Sequence, residues 1–136
     1  MNVAIRYYTK TGNTKKLADA ISEAVNVPAL TVDNPLTEKA DILFLGSSVY
    51  AAGVDEEIKS FLRNNKDNIG TLVNFSTAAL LPSTFNQVKK LAEELSITVC
   101  DDEYHCRGSF AMLHRNRPNV DDCKAAKAFA ESIMNK

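Results

Sequence analysis

The sequence lacks any paired set of cysteines: Cys100, Cys106 and Cys123 are odd in number and fit neither a disulfide framework nor a zinc-ligand spacing. They read as free thiols of a reducing compartment. His105 and His114 flank no triad or metal set, so neither is assigned chemistry. No apolar run approaches the length of a membrane span, and the first residues pattern as a strand rather than as a charged-then-apolar leader. Neither sign of charge is in excess. Sixteen basic residues against 17 acidic leave a net charge of −1, which removes the basic footprint expected for nucleic acid or an anionic membrane. The expectation is therefore a soluble, cytoplasmic, monomeric protein with no nucleic-acid or membrane partner. At 136 residues and 45% apolar composition the chain reads as one domain, 1–136, without repeats, low-complexity stretches or a linker.

Two common phosphate-binding signatures are also absent, the nucleotide loop ending in Gly-Lys-Ser/Thr and the dinucleotide Gly-x-Gly-x-x-Gly. In their place stands Thr9-Lys10-Thr11-Gly12-Asn13-Thr14, between an apolar run at 2–8 and an amphipathic helix. A helix start presents amides without intrahelical acceptors and the positive end of the macrodipole, and threonine hydroxyls can donate to the remaining oxygens of an anion. Gly12 lets the backbone turn closely around it. Strand, hydroxyl-rich loop and helix start together make a phosphate cradle, with Thr14 expected to cap the helix.

Strand-like runs at 2–8, 29–32, 41–47, 71–76 and 97–101, with a continuation at 104–110, alternate with helical periodicity. Leu17, Ile21, Ala24 and Val25 share one helical face; Ile58, Phe61 and Leu62 mark a second helix. Phe85, Val88, Leu91, Ala92 and Leu95 mark a third, and Cys123, Ala126, Phe129, Ala130 and Ile133 a fourth. The third and fourth strands are apolar on both faces, as parallel strands covered on both sides are. The pattern predicts an α/β fold: a doubly wound, five-stranded parallel sheet with helices on both faces. The stretch 36–40 is too short for a good crossover helix. Asp55-Glu56-Glu57 place negative charge at the start of the second helix, Pro82 suits the start of the third, and Asn119-Val120-Asp121-Asp122 the start of the last.

In such sheets a ligand lies beyond the carboxyl ends of the strands at the topological switch point. Three loops fall there: 9–14, 47–54 and 77–81. The second, Gly46-Ser47-Ser48-Val49-Tyr50-Ala51-Ala52-Gly53, sets one flat aromatic ring among small residues. The segment of the third, Phe75-Ser76-Thr77-Ala78-Ala79-Leu80, is similarly small and polar at first.

These segments resemble those of short-chain flavodoxins. Thr-x-Thr-Gly-x-Thr is similar to the family's loop for the terminal phosphate of FMN, and the segment around Tyr50 to the one that lines the isoalloxazine, with serine and alanines where proline-type residues and glycines are usual. The third loop resembles the one at the pyrimidine edge. The resemblance covers nearly the whole chain and implies the strand order 2-1-3-4-5 and FMN as cofactor. It implies as ligands Thr9, Lys10, Thr11, Gly12, Asn13 and Thr14 at the phosphate. It further implies Ser47, Ser48, Val49, Tyr50, Ala51, Ala52 and Gly53 beside the ring, then Ser76, Thr77, Ala78 and Ala79. No metal and no catalytic side chain are implied. The chain departs from the family in its near-neutral charge and in lacking acidic and aromatic residues in the third loop.

Rival readings lose their chemistry. A receiver domain of the same strand order needs an acceptor aspartate where Leu45-Gly46-Ser47 stands and acidic residues where Tyr8-Thr9-Lys10 stands; a small phosphatase needs a cysteine in the first loop. What remains is an electron carrier docking redox partner proteins, or an FMN-dependent oxidoreductase of the quinone-reductase type. The short loops favour the carrier.

Overall fold

The computed structural model describes residues 1–49, 55–78, 84–107 and 117–136; of Val49, Ala78 and Arg107 it describes the backbone alone. The strands are β1 (Val3–Tyr7), β2 (Ala29–Thr31), β3 (Ala40–Val49), β4 (Ile69–Ala78), β5 (Thr98–Val99) and β6 (Tyr104–Arg107). The helices are α1 (Asn13–Val25), α2 (Glu56–Asn65), α3 (Phe85–Glu94) and α4 (Val120–Met134), and a single 3-10 turn spans Lys66–Asn68. All strand pairs are parallel, and the order is β2-β1-β3-β4-β5, with β6 also pairing to β4. The fifth strand is thus in two pieces along one edge. Among the described residues no helix is long and apolar enough to cross a membrane.

Alternation along the two central strands builds two cores. Phe44 of β3 with Val73 and Phe75 of β4 packs against Leu17, Ala18 and Ile21 of α1 and Ala126, Ala130 and Ile133 of α4. Leu43, Leu45 and Leu72 face the other way, against Ile58, Phe61 and Leu62 of α2 and Val88 and Ala92 of α3. Each of these large side chains gains about 1.5–3 kcal/mol on burial. Gly46 belongs to the first core, where a Cβ would stand 2.4 Å from the Phe75 ring and 2.9 Å from Thr14 Cγ2. Only a bare backbone lets α1 and Phe75 close over β3 at that point.

The crossover from β2 to β3 has no helix, as the short stretch predicted. Side chains take over its hydrogen bonding. Arg6, buried on β1, donates through Nε to the Asn34 carbonyl at 2.8 Å and through Nη1 to its neighbour Ile5 at 3.0 Å. Asn65 accepts from the Leu36 N–H at 2.9 Å, and Asn68 donates to the Leu36 carbonyl at 3.3 Å. Backbone groups that a helix would have paired internally are in this way satisfied by three side chains.

Candidate functional site

The carboxyl ends of β1, β3 and β4 lie side by side, with Tyr7 opposite Gly46 and Ser47 opposite Ser76. β1 runs into α1 on one face while β3 leads to α2 on the other, so the switch point falls between them. From β1 the chain turns through Tyr8, whose N–H donates to the Gly46 carbonyl at 3.1 Å. Thr9 Oγ1 then accepts from the Gly12 N–H at 3.0 Å, tightening the loop on itself. Gly12, not Thr14, is the N-cap of α1, at φ +88°, where a side chain would be strained. No side chain caps α1, and its first turn holds no acidic residue.

The expectation that Thr14 caps the helix is corrected by its position as the second residue of α1, two past the cap. Thr14 is fully buried, with Oγ1 3.0 Å from Thr77 Oγ1 and 3.3 Å from the Ser47 carbonyl oxygen. It pins the start of α1 to β3 and β4 at once. The other hydroxyls of the strand ends join a second buried set on the α2–α3 side. There Thr84, which precedes α3, accepts from Ser47 Oγ at 2.8 Å and from Asn74 Nδ2 at 3.2 Å, and its N–H donates to Ser76 Oγ at 3.4 Å. These polar residues sit where an apolar core would otherwise continue, and because each is paired the layer holds the roots of the loops rigidly. One atom breaks the pattern. Ser48 Oγ, on the α1 side in register with Thr77, is the single buried side-chain polar atom without a hydrogen-bond partner among the described residues.

Of the residues singled out in the sequence, Thr9, Lys10, Thr11, Gly12, Asn13, Thr14, Ser47, Ser48, Ser76 and Thr77 are brought together at this end of the sheet, as is the backbone of Val49 and Ala78. Tyr50, Ala51, Ala52, Gly53 and Ala79, with Pro82, lie outside the described residues. Lys10 reaches Asp55 at 3.3 Å. Thr84 and Asn74 were not signalled as part of the site. The clue was a run of polar residues, Ser76-Thr77, ending an apolar strand.

At the start of α4, Asp122 is held by Arg117 through two bonds, Nε at 3.0 Å and Nη2 at 2.6 Å. The guanidinium holds the Asp122 carboxyl below the usual range, and the carboxylate in turn raises Arg117. Burial, aided by the Asp122 charge, pushes the Cys106 thiol up to about 12, so it stays protonated at neutral pH and is no nucleophile.

A sequence model of the family described as Flavodoxin domain matches residues 4–101. An uncharacterised protein of Methanocaldococcus jannaschii is 32% identical, the match covering 90% of this chain and 90% of that one. Among solved structures, a flavodoxin from the domain Archaea is similar with a TM-score of 0.81 at 16% identity, over 99% of this chain and 97% of that one. A flavoprotein of Lactobacillus acidophilus, solved in complex with FMN, is similar with a TM-score of 0.60 at 18% identity, over 78% and 92% of the two chains. The family match spans most of the sequence, and the parallel 2-1-3-4-5 sheet is the one that such a sequence builds: the chain belongs to the flavodoxin domain family.

Proposed function

We propose that this chain binds FMN at the carboxyl ends of β1, β3 and β4 and works as an electron-transfer protein between redox partner proteins. The observation that carries the reading is the start of α1: entered through a left-handed glycine, ringed by threonines, and given neither a side-chain cap nor an acidic residue. That combination is suited to a phosphate, which completes the helix terminus from outside. The buried and unpartnered Ser48 Oγ, on the same face as α1, fits a polar group of the ligand that enters between β1 and β3. FMN is also the ligand of the Lactobacillus flavoprotein named above.

In this reading the amides of Lys10 and Asn13 and the hydroxyls of Thr9 and Thr11 hold the phosphate, Gly12 shapes the turn with its N–H on Thr9 Oγ1, and Thr14 fixes the cradle from beneath. Ser47, Ser48, Val49, Tyr50, Ala51, Ala52 and Gly53 line the ring, with Tyr50 as the stacking face, and Ser76, Thr77, Ala78 and Ala79 supply backbone contacts at its other edge. Bound flavin supplies the electron chemistry; the chain binds, orients and shields it. With a net charge of −1, long-range steering of partners is weak and recognition rests on contact.

The test is the visible spectrum of the purified protein, followed by chromatographic identification of the released flavin. In titration of the apoprotein, FMN should bind roughly ten- to a hundredfold more tightly than riboflavin, the worth of one charge-assisted hydrogen bond. Equal affinity for the two flavins overturns the phosphate assignment. Turnover of a quinone without any partner protein would replace the carrier role by the oxidoreductase reading.

A further inference from the structure

Asp55 stands at the N-cap of α2 with extended backbone, φ −62° and ψ 151°, the conformation from which an aspartate ordinarily accepts from the first-turn amides. Its side chain makes no cap bond. The carboxylate lies instead 3.3 Å from Lys10 Nζ. Lys10 belongs to the loop between β1 and α1, whereas Asp55 opens the helix that follows β3. The two strands are neighbours whose chains leave on opposite faces, so the ion pair spans the switch-point crevice. Its members differ in exposure: the aspartate side chain is 17% exposed, while the lysine is 56% exposed on a long stem. The more exposed partner is the one in the phosphate loop.

We infer that Asp55 competes with the phosphate of FMN for the Lys10 ammonium, so that this pair sets how strongly the chain discriminates phosphorylated from unphosphorylated flavin. The inference rests on the FMN reading above. A phosphate carrying close to two negative charges attracts the ammonium more strongly than a carboxylate does at equal distance. When it enters the Thr9–Thr14 loop, Lys10 turns to it and the Asp55 carboxylate is released to cap α2. A local cap bond thereby offsets the broken ion pair. Riboflavin presents no such charge and leaves Lys10 with Asp55. The competition is modest in size because the lysine is half in water, where such pairs shift equilibria about two- to fivefold.

The experiment titrates FMN and riboflavin into the apo form of the full chain, by quenching of flavin fluorescence, for the wild type, Asp55→Asn, Lys10→Met and the double variant. Asparagine caps helices as well as aspartate does, so Asp55→Asn keeps the helix start. Asp55→Asn should bind FMN about two- to fivefold more tightly, and Lys10→Met about two- to fivefold more weakly, with riboflavin unchanged in both. In the Lys10→Met background the Asp55→Asn change should have no effect. Asp55→Asn weakening both flavins alike, or the two changes adding independently, overturns the inference while leaving FMN binding intact. A wild type that binds neither flavin removes the site itself.

Discussion

Two helix starts at the same end of the sheet are built in opposite ways. At α4, Asn119 accepts from the Asp122 N–H at 3.0 Å, Asp122 accepts from the Asn119 N–H at 2.8 Å, and Arg117 clasps the same carboxylate. Asp121 and Asp122 put negative charge in the first turn. At α1 the cap is a glycine, with no side-chain cap bond and no acid in the first turn. The α4 terminus is saturated from within, and an anion would find its positive end already neutralised. The α1 terminus carries neither a side-chain cap nor a negative charge of its own. On the proposed function the difference separates a stability element from a binding element even though both are helix N-termini of one fold.

Breaking the α4 terminus should have the largest effect. Asp122→Ala removes the reciprocal cap and leaves Arg117 without its partner, and we expect a loss of about 2–4 kcal/mol in urea unfolding. FMN affinity of the folded fraction should not move. Because the folded Asp122 carboxyl titrates below its unfolded value, its contribution is fully present above that value, near pH 4, and fades as pH falls through the folded one. Wild type and Asp122→Asn should therefore converge in stability under acid and differ most at neutral pH; a gap that widens on acidification would remove Arg117 as the cause.

The conformational half of the contrast is read by Gly12→Ala. A Cβ there meets nothing within 4 Å, so its cost is purely that of a left-handed backbone, about 1–2 kcal/mol in thermal or urea unfolding. No measurable loss would mean that the helix start relaxes out of the left-handed region. The smallest effect on stability should come from making α1 resemble α4. Lys15→Glu puts an acid in the first turn at the expense of the exposed Lys15–Asp19 pair, contributions of about 0.3–1 kcal/mol that oppose each other. Stability should then change little while FMN binding, measured by fluorescence, weakens severalfold, and riboflavin binding serves as the control.

The sequence made the sheet legible because β3 and β4 are apolar on both faces, and Gly12 with its threonines marked the turn into α1. It showed the start of α4 too, where Asn119-Val120-Asp121-Asp122 follows Pro118, though not the reciprocal cap that Asn119 and Asp122 form there. Less legible were the ends of the central strands. Both run on, to Val49 and Ala78, past where loops were expected to begin at Ser47 and Thr77. Hydroxyls there are paired through Thr84 and Thr14, and those partners are distant in sequence. Asp55 read as a helix-dipole charge, because its partner Lys10 is brought near only by the fold. Arg6 in Val3–Tyr7 was a visible anomaly in an apolar strand, but periodicity does not say that it replaces a crossover helix.

The divided fifth strand bears on how copies of this protein behave toward each other. β5 pairs with Thr71 and Leu72 and β6 resumes at Phe75, so four residues, 100–103, stand against two, Val73 and Asn74. The surplus interrupts the outer row of hydrogen-bonding groups, and its acids Asp101 and Asp102 are met by Lys89 and Lys136. The opposite edge, β2, is three residues long. A sheet protein carrying a net charge of only −1 has little mutual repulsion to keep its molecules apart. Among the described residues, short, broken and charged margins supply the protection that bulk charge does not, because a strand from another molecule finds no continuous row in them against which to align.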